Sequence, residues 1–300
     1  MRALVTGAHG FVGRWLCDHL RSAGDDVVES DHHDVDILDA AGVVGLVARS
    51  RPDAVYHLAG FADVGASWEQ PIDAFRVNAD GTLHVLLACR DAEVERVLVV
   101  SSADVYGAVT EDELPITEDA ALRPSSPYAA SKVAADYLAV QAHLGWGLAT
   151  LRVRAFNHLG PAQTDRFVAS ALAARIARNE VEGRDVVPVG NLSPRRDFTD
   201  VRDVVRAYRL LVERGTPGAV YNVCSGRDVA IRELAERLLA MADRPMRLEV
   251  DPALERPVDV PVHRGDAAKI GAATGWQPQI PLERTLADLL DDWRRRVRAG

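Results

Sequence analysis

Residues 3–13 read Ala3-Leu4-Val5-Thr6-Gly7-Ala8-His9-Gly10-Phe11-Val12-Gly13, a short apolar run followed by a GxxGxxG spacing. The apolar run predicts a buried strand, and apolar residues at helical spacing from Val12 onward predict a helix after it. Between a strand and a helix, Gly7 permits the tight turn, Gly10 lets a pyrophosphate approach the backbone, and Gly13 lets helix and strand pack closely. The helix N-terminus then faces the phosphates. The stretch therefore predicts a dinucleotide site, with these candidate cofactor contacts: Gly7, Gly10, Phe11, Val12 and Gly13.

A second predicted strand, Asp26 to Asp31, ends in a carboxylate 18 residues after Gly13. An acidic group at about this distance meets the adenosine ribose hydroxyls in such sites. Asp31 favours NAD by repelling a 2′-phosphate, whereas His32 and His33 soften that preference, and a solvated strand end is the alternative interpretation of Asp31. Two residues that open the next segment are expected to frame the adenine: Asp36 and Ile37.

Strands alternate with helices over the first 150 residues, which predicts an α/β fold with a Rossmann-type, doubly wound parallel sheet. The buried run from Ala54 ends in small residues, as needed where a cofactor crosses a sheet edge, and the run from Arg96 ends in two hydroxyls. Ser102 then falls at the carboxyl end of a parallel strand, where ligands of such sheets bind. His57, inside an apolar run, is interpreted as a satisfied core histidine. Further candidate cofactor contacts are Leu58, Ala59, Gly60 and Asn78.

Tyr128 and Lys132 are four residues apart in the helix-compatible stretch Ser126-Pro127-Tyr128-Ala129-Ala130-Ser131-Lys132. Positions i and i+4 of a helix share a face, so the phenol and the ammonium can point into one cavity. A phenol titrates near ~10 in water, and we expect the neighbouring ammonium to lower that pKa. A bare YxxxK is more often a solvated helix face, so a catalytic interpretation depends on the glycine motif and on Ser102.

Composition restricts the class of protein. The chain has 300 residues, 48% hydrophobic and 26% charged, which fits one large or two modest soluble domains. Its net charge of −9 and pI of about 5.5 argue against nucleic acid or an anionic membrane as a partner. Cys17, Cys89 and Cys224 lack metal-ligand spacing, so we expect buried, reduced thiols and no metal site. No signal peptide or apolar run of ~20 residues is apparent, and a cytoplasmic location is expected.

Motifs spread over the whole chain resemble the extended short-chain dehydrogenase/reductase family of nucleotide-sugar enzymes. They are Gly7/Gly10/Gly13, His57-Leu58-Ala59-Gly60, Ser101-Ser102-Ala103-Asp104-Val105-Tyr106-Gly107, Tyr128-x-x-x-Lys132, Phe156-Asn157-His158-Leu159-Gly160-Pro161, Val189-Gly190-Asn191-Leu192, Arg196 to Asp203, and Tyr221 to Gly226. In combination they are similar to the members that reduce GDP-4-keto-6-deoxymannose to GDP-rhamnose, and to the GDP-mannose 4,6-dehydratases.

The resemblance implies that Ser102, Tyr128 and Lys132 are catalytic. Tyr128 is expected to give a proton to a carbonyl oxygen while NAD(P)H gives hydride to the carbon; Ser102 orients that oxygen, and Lys132 holds the ribose and tunes Tyr128. A 4,6-dehydratase also needs a Glu two residues after its hydroxyl residue, and here that position holds Asp104, next to the non-ionisable Ala103. We therefore expect reduction of the 4-keto group of a nucleoside-diphosphate-4-keto-6-deoxyhexose, most simply a GDP-sugar. The alternatives are a 4,6-dehydratase, a 4-epimerase, a dTDP-linked ketoreductase and a silent dinucleotide-binding protein.

The resemblance assigns the second half of the chain to the sugar nucleotide. Asn157 is expected against the diphosphate, and Arg196 and Arg256 are expected to bind it against the negative overall charge. Asn191 and Leu192 are expected to form the wall of the base site. Two more residues are placed near the substrate: Asp104, and Arg175 on the helix predicted from Phe167.

The resemblance also implies a domain organisation and an assembly. Residues 1–157 and about 195–226 are expected to form the dinucleotide-binding domain, and about 158–194 and 227–300 a smaller α/β domain that binds the nucleotide sugar. The family usually pairs a helix near 73–90 with a helix near 127–144 across a two-fold axis, so a homodimer is expected.

Overall fold

A computed structural model describes residues 1–254 and 260–299 of the chain. Its strands are β1 (Arg2–Thr6), β2 (Asp26–Ser30), β3 (Ala54–His57), β4 (Arg96–Ser102), β5 (Thr150–Ala155), β6 (Asn157–Leu159), β7 (Val186–Val189), β8 (Arg195–Asp200), β9 (Val220–Val223), β10 (Asp228–Ala230), β11 (Arg247–Val250) and β12 (Val262–His263). Its α-helices are α1 (Phe11–Ser22), α2 (Ala40–Ser50), α3 (Pro71–Phe75), α4 (Gly81–Asp91), α5 (Pro127–Trp146), α6 (Val168–Glu182), α7 (Val201–Arg214), α8 (Ile231–Ala240), α9 (Ala268–Thr274) and α10 (Leu282–Ala299).

The central layer is a six-stranded sheet in the order β2-β1-β3-β4-β5-β9, and every neighbouring pair in it is parallel. The chain leaves β1 toward β2 on one side and returns to β3 on the other, so the strand order reverses beside β1. In open parallel sheets ligands bind in the crevice that this reversal leaves at the carboxyl ends of the strands. The predicted doubly wound α/β fold is confirmed.

Apolar layers cover both faces of this sheet. On one face, buried residues of α1 and α7 pack against the strands, and Leu16, Leu20 and Tyr208 are fully buried there. On the other face, α2, α4 and α5 supply a second layer that includes Val47 and Leu86. The three cysteines are buried and free, as predicted.

The helix expected near residues 73–90 is interrupted. Between α3 and α4, Arg76–Asp80 form a π-helical turn that contains Asn78. The Asn78 amide accepts a hydrogen bond from the Phe61 backbone N–H at 2.9 Å and donates to the Ser131 hydroxyl at 2.8 Å. The wider turn brings this buried amide toward the loop after β3, which the apolar pattern alone does not reveal.

A second, smaller unit has its own core. Strand β8 pairs with β6, β10 and β12, and β7 pairs with β11. Helices α6, α8 and α10 pack on this unit around Leu172, Leu234 and Leu289, which are buried. Strand β8 belongs to the smaller sheet. The chain therefore returns to the six-stranded sheet only with α7, which packs on it, and β9, which joins it. No helix within residues 1–254 and 260–299 has the length and apolar character to span a membrane.

Candidate active site

A cleft of about 1620 Å³ runs between the carboxyl ends of the large sheet and the smaller unit. Pockets for one drug-sized ligand are typically ~300–1,000 Å³, so this cleft has room for more than one ligand. Most of the predicted site residues line it: Gly7, Gly10, Phe11, Val12, Gly13, Asp31, Asp36, Ile37, Leu58, Ala59, Gly60, Ser102, Asp104, Tyr128, Lys132, Asn157, Asn191, Leu192 and Arg196. Asn78 lies behind this lining, and Arg256 lies outside the described residues.

The glycine-rich turn is closed against backbone. Gly7 has a φ of +71°, and a Cβ on it would lie 2.7 Å from the Ala59 backbone N. A Cβ on Gly13 would lie 2.1 Å from the Gly7 carbonyl oxygen, so only glycine lets α1 start this close to the turn. Gly10 is the N-cap of α1 and leaves the first N–H groups of the helix without side-chain caps. This cradle fits the pyrophosphate of a dinucleotide, because backbone N–H groups at a helix start bind anions.

The next part of the cleft lining is built around Asp31, which is predicted to meet the adenosine ribose. The Asp31 carboxylate accepts the backbone N–H of His9 at 2.9 Å and that of His32 at 2.8 Å. Burial alone raises the pKa of the Asp31 carboxyl, but these hydrogen bonds and the His32 ring outweigh burial and lower that pKa. Asp36 accepts the Leu38 backbone N–H, which shapes the segment that carries Ile37.

His57 is a structural residue, as predicted. Its Nδ1 lies 2.8 Å from the Thr6 hydroxyl and its Nε2 lies 3.0 Å from the Thr82 hydroxyl. Burial, with a smaller contribution from the Lys132 cation, lowers the pKa of His57 to about 3. The ring therefore stays neutral at physiological pH and ties β1 to α4.

Ser102, Tyr128 and Lys132 meet at the carboxyl end of β4. Helix α5 starts at Pro127 because the Ser126 hydroxyl accepts the Ala129 N–H, and the Ser67 hydroxyl from a distant loop accepts the Tyr128 N–H at 3.2 Å. The Lys132 Nζ donates to the Val100 carbonyl at 3.0 Å and lies 6.0 Å from the centre of the Tyr128 ring. The predicted i, i+4 pair therefore shares one face of α5 and lines the cleft.

The pKa of the Tyr128 phenol is raised, whereas the sequence predicted that it is lowered. Burial is the largest cause, and the Asp104 carboxylate adds to it. A hydrogen bond with the Ser102 hydroxyl acts in the opposite direction but is outweighed. The prediction was wrong because a sequence shows the neighbouring ammonium but not the loss of solvent around the phenol. A protonated phenol is the form that a general acid requires.

Lys132 is also buried, and burial lowers the pKa of its ammonium to about 8. A Cβ on Gly60 would lie 2.7 Å from the Asn78 Oδ1, so the glycine makes room for that buried amide, and the Lys132 Nζ lies next to it at 3.4 Å from the same position. The cation remains protonated near neutral pH, where it can donate to ribose hydroxyls and to the backbone together.

Asp104 occupies the turn after Ser102. Its backbone N–H donates to the Ser102 hydroxyl at 3.1 Å, and its half-buried side chain lines the cleft. The Asp104 carboxylate is close enough to Tyr128 and His263 to raise the pKa of both groups. At His263, burial outweighs the effect of Asp104, so the pKa of the imidazole is lowered overall.

The opposite end of the cleft is lined by loops and by α6. The Arg196 guanidinium donates to the backbone carbonyls of Arg195 at 2.9 Å and Val260 at 2.6 Å. Asn191 accepts the Ser193 N–H, which fixes the loop after β7. The Arg175 guanidinium donates to the Pro188 carbonyl at 2.7 Å, and burial lowers its pKa. Within residues 1–254 and 260–299 no carboxylate forms an ion pair with Arg175, so a half-buried cation lines this end of the cleft.

His158 is a cleft residue that the sequence reasoning did not select. Its ring stacks on Phe11 with 6.2 Å between centroids and 10° between planes, and its Nδ1 donates to the Phe156 carbonyl at 3.0 Å. Burial lowers the pKa of the imidazole, so its Nε2 is an acceptor. The sequence did offer a signal for His158, because it is a polar residue directly after Asn157 and close to the end of a predicted strand.

The fold and the cleft together define a class of protein. A doubly wound parallel sheet, a glycine turn closed against backbone, and a Ser102–Tyr128–Lys132 group at the strand ends are the features of a dinucleotide-dependent short-chain dehydrogenase/reductase.

Comparison with known proteins narrows the class. A family model described as GDP-mannose 4,6 dehydratase matches residues 29–289. The chain therefore belongs to the GDP-mannose 4,6-dehydratase family of extended short-chain dehydrogenases/reductases, and the resemblance seen in its motifs is confirmed. The chain is 40% identical to the GDP-6-deoxy-D-mannose reductase of Pseudomonas aeruginosa, over 99% of this chain and 98% of that protein.

Two solved structures match the fold over nearly its full length. The structure of RMD from Pseudomonas aeruginosa complexed with NADPH gives a TM-score of 0.90 and 38% identity, over 99% of this chain and 98% of that one. The UDP-glucose 4-epimerase of Thermus thermophilus in complex with NAD gives a TM-score of 0.88 and 31% identity, over 98% of this chain and 99% of that one. The chain therefore resembles both a protein solved with NADPH and a protein solved with NAD.

Proposed function

We propose that this protein is an NAD(P)H-dependent 4-ketoreductase that converts GDP-4-keto-6-deoxymannose to GDP-rhamnose or to its C4 epimer. The observation that carries the proposal is the buried, protonated Tyr128 phenol beside Ser102 in a cleft large enough for a dinucleotide and a nucleotide sugar. The reductase from Pseudomonas aeruginosa, at 40% identity over nearly the whole chain, supports the same reaction.

The chain's own residues account for the proton and the positioning in this reaction. NAD(P)H supplies the hydride when it is bound. Tyr128 gives its phenolic proton to the ketone oxygen, and the Ser102 hydroxyl donates a second hydrogen bond to the same oxygen. Lys132 stabilises the phenolate left on Tyr128 and holds the ribose. General acid catalysis of this kind contributes ~10²–10⁴-fold, and positioning of the reactants supplies much of the remainder.

The geometry of the glycine turn is suited to binding NAD(P)H. A Cβ on Gly7 or on Gly13 would fill the space beside the turn. The glycines therefore leave room for a pyrophosphate to bind the backbone N–H groups. In this proposal Asp31 would bind the adenosine ribose, and Lys132, beside Gly60, would bind the nicotinamide ribose. Residues 1–157 with α7 and β9 thus hold the cofactor, and the smaller unit holds the nucleotide sugar.

The cations at the far end of the cleft suit a diphosphate and a base. Arg196 and Arg175 line this end and bring positive charge into a protein whose net charge is −9. Guanidinium groups bind phosphate oxygens and paired acceptors on a base in bidentate fashion. Asn157, Asn191 and Leu192 line the same end, and the predicted role of Arg256 in this group stays a prediction.

A redox-neutral 4,6-dehydratase is the second candidate, because the Asp104 carboxylate lies in the cleft beside Tyr128. Elimination of water across C5 and C6 needs a base at C5. A carboxylate one methylene shorter than Glu has a shorter reach, which favours simple ketone reduction.

The test is turnover with defined sugars. Purified protein with GDP-4-keto-6-deoxymannose should oxidise NADPH or NADH, and nuclear magnetic resonance of the product assigns the configuration at C4. GDP-mannose supplied without external NAD(P)H is the control for the dehydratase. Conversion of GDP-mannose to the 4-keto sugar, with no NAD(P)H oxidation in the first assay, would establish the second candidate instead.

A homodimer is part of the proposal. Large apolar side chains are exposed on α3 and α5, with Ile72 at 72% and Leu144 at 78% of their full exposure. Phe75 and Tyr137 on the same helices are also exposed, and α3 packs against α5 in the structure. Exposed apolar surface of this kind marks an interaction site. Sedimentation should give a dimer for the natural chain and a monomer for Ile72→Glu with Leu144→Glu; a monomeric natural chain would contradict it.

A further inference from the structure

The turn that follows Ser102 is held by a histidine from the smaller sheet. The Nε2 atom of His263, on β12, lies 2.8 Å from the Gly107 carbonyl oxygen. A carbonyl oxygen only accepts, so Nε2 carries the proton and donates it. His263 is 2% exposed, and its ring meets the Phe156 ring edge-on with 6.3 Å between centroids. A buried ring of fixed orientation therefore joins the smaller sheet to the end of β4.

Two further hydrogen bonds lead from this contact to the Ser102 hydroxyl. Residues 103–106 form a single turn of 3₁₀ helix directly after β4. The Gly107 N–H donates to the Asp104 carbonyl at 3.1 Å, and the Asp104 N–H donates to the Ser102 Oγ at 3.1 Å. Because the Ser102 oxygen accepts this N–H, the hydroxyl proton stays available for donation into the cleft. The position of the turn therefore decides where the Ser102 hydroxyl points.

The turn is held from both sides. Gly107 has a φ of +64°, and a Cβ on it would lie 1.9 Å from the Arg123 carbonyl oxygen. The Arg123 N–H also donates to the Val105 carbonyl at 2.9 Å. Arg123 thus holds the turn from the loop before α5, whereas His263 holds it from the smaller sheet. Loss of the His263 contact would remove the tie to the smaller sheet and leave the tie to Arg123.

The segment that carries His263 also contacts a cation of the cleft. His263 pairs in register with Arg196 of β8. The Arg196 side chain lines the cleft, and its guanidinium donates to the Val260 carbonyl at 2.6 Å. Residues 260–263 therefore connect an arginine proposed to bind the diphosphate with the turn beside Ser102. A displacement of ~1 Å at a reacting group can cost ~10²-fold in rate, so such a connection has kinetic consequences.

His263 serves this turn as a neutral donor. Burial is the largest cause that lowers the pKa of its imidazole, and the Arg196 cation acts in the same direction. The Asp104 carboxylate and the Gly107 carbonyl act against them and are outweighed. The ring therefore carries one proton at physiological pH, and the bond to Gly107 places that proton on Nε2.

We propose that His263 is a positioning residue for the reaction: it fixes the turn that aims the Ser102 hydroxyl, and so aligns Ser102 with a sugar held by the smaller unit. The inference rests on the proposed function in that Ser102 must donate to the ketone oxygen. It goes beyond that function in assigning a catalytic consequence to a buried residue outside the cleft lining.

A double-mutant cycle on kcat tests the proposal. The natural chain, His263→Leu, Ser102→Ala and the double variant are assayed with GDP-4-keto-6-deoxymannose and NADPH. We expect His263→Leu to lower kcat by about tenfold, and to leave the KM of the sugar and the affinity for NADPH nearly unchanged. Ser102→Ala should lower kcat at least as much. The double variant should fall no further than Ser102→Ala, because His263 acts through Ser102.

Two more variants separate positioning from folding. His263→Gln offers an amide N–H at about the reach of Nε2, so it should keep most of the kcat that His263→Leu loses. His143→Leu is the matched control. The His143 ring also donates to a backbone carbonyl, that of Leu148 at 3.0 Å, but it does so near the far end of α5 and outside the cleft lining. This control should lower stability in denaturant and leave kcat unchanged.

Losses of kcat that multiply in the double variant overturn the inference, because they would mean that His263 acts independently of Ser102. Equal losses in the Leu and Gln variants, or a natural kcat in His263→Leu, overturn it as well. Where His263→Leu does not fold, His263→Asn, which is polar but too short to reach Gly107, takes its place in the cycle.

The proposed substrate is tested separately by the natural chain. If that chain converts GDP-mannose without oxidising NADPH, the proposed substrate is contradicted, and the same cycle measured with GDP-mannose decides the inference. A natural chain that converts neither sugar overturns the inference and the proposed function together.

Discussion

The two ends of the cleft are built by different means. At the end that carries the glycine turn, which we call the cofactor end, backbone segments pack too closely for a side chain. A Cβ on Gly13 would lie 2.1 Å from the Gly7 oxygen, and a Cβ on Gly7 would lie 2.7 Å from Ala59 N. At the opposite end, which we propose binds the nucleotide sugar and call the sugar end, Gly190 is also closed against backbone, since its Cβ would lie 2.5 Å from the Leu254 carbonyl oxygen, but most of the lining consists of side chains on helices and loops, such as Arg175 and Asn191. Shape is therefore fixed mainly by backbone at one end and mainly by exchangeable side chains at the other.

This contrast predicts how each end responds to mutation. A substitution at the cofactor end should disturb stability and cofactor binding together, because the same atoms serve both. A substitution at the sugar end should weaken sugar binding and leave the fold and the cofactor unaffected. Tyr128 stands where the two ends meet, so it should affect neither binding step but only the reaction.

The largest effect is expected for Tyr128→Phe. Loss of the phenolic proton donor should lower kcat by ~10²–10⁴-fold. The affinity for NADH, measured by calorimetry, should change little, because Lys132 and the glycine turn remain. Ser102→Ala is the companion variant and should cost less, since it removes a hydrogen bond and not the proton. Turnover near the natural rate in Tyr128→Phe would exclude the proposed mechanism.

The next largest effect is expected for Arg175→Ala. Removing a charge-assisted contact costs ~1.5–3 kcal/mol, so the KM for the GDP-sugar should rise by about 10–100-fold while kcat and NADPH affinity change little. Arg178→Ala is the matched control, because Arg178 lies one turn further along α6, pairs with Asp165 at 2.9 Å, and is outside the cleft lining. Equal effects of the two variants on KM would contradict a specific role for Arg175.

The contrast also explains what the sequence revealed. Gly7, Gly10 and Gly13 predicted the turn and its position in the sheet, because only glycine satisfies a positive φ and a backbone approach of this kind. The strand ends that carry Ser102 and Tyr56–His57 followed from apolar runs and the parallel topology. These features are local, and local patterns specify them.

Other features depend on residues distant in sequence. Ser67 caps α5 from 61 positions away, and the π-helical turn at Asn78 forms around a hydrogen bond to Phe61. The raised pKa of Tyr128 results from burial by several elements at once. The apolar pattern contains no information on such contacts, so the direction of that pKa and the role of His158 emerge only in three dimensions.

Gly13→Ala tests the backbone-built end directly. Its Cβ would meet the Gly7 oxygen at 2.1 Å and the Ala8 oxygen at 2.7 Å, so α1 must move. Overpacking of this type costs ~1–3 kcal/mol, and denaturant unfolding and NADH titration should both report the loss. Gly45→Ala on α2 is the control: its Cβ would meet nothing closer than the Arg49 Nη1 at 3.5 Å, and it should raise stability by ~0.5–1 kcal/mol. A Gly13→Ala protein that loses stability but binds NADH normally would contradict the expectation that stability and cofactor binding change together at this end.

The most gradual effect is a pH dependence at the junction of the two ends. Burial lowers the pKa of Lys132 to about 8 from its ordinary value of 10.5, so the unfolded chain binds more protons than the folded one between those values. Stability therefore rises with pH in that window, by at most about 1.4 kcal/mol per pH unit, and kcat falls as the ammonium deprotonates above about pH 8. Chemical unfolding and turnover of the same samples, between about pH 7.5 and about pH 9.5, should thus move in opposite directions. In Lys132→Met, which cannot titrate, the rise in stability assigned to Lys132 should disappear; a natural chain whose stability and kcat fall together across this range would show that a different group controls both.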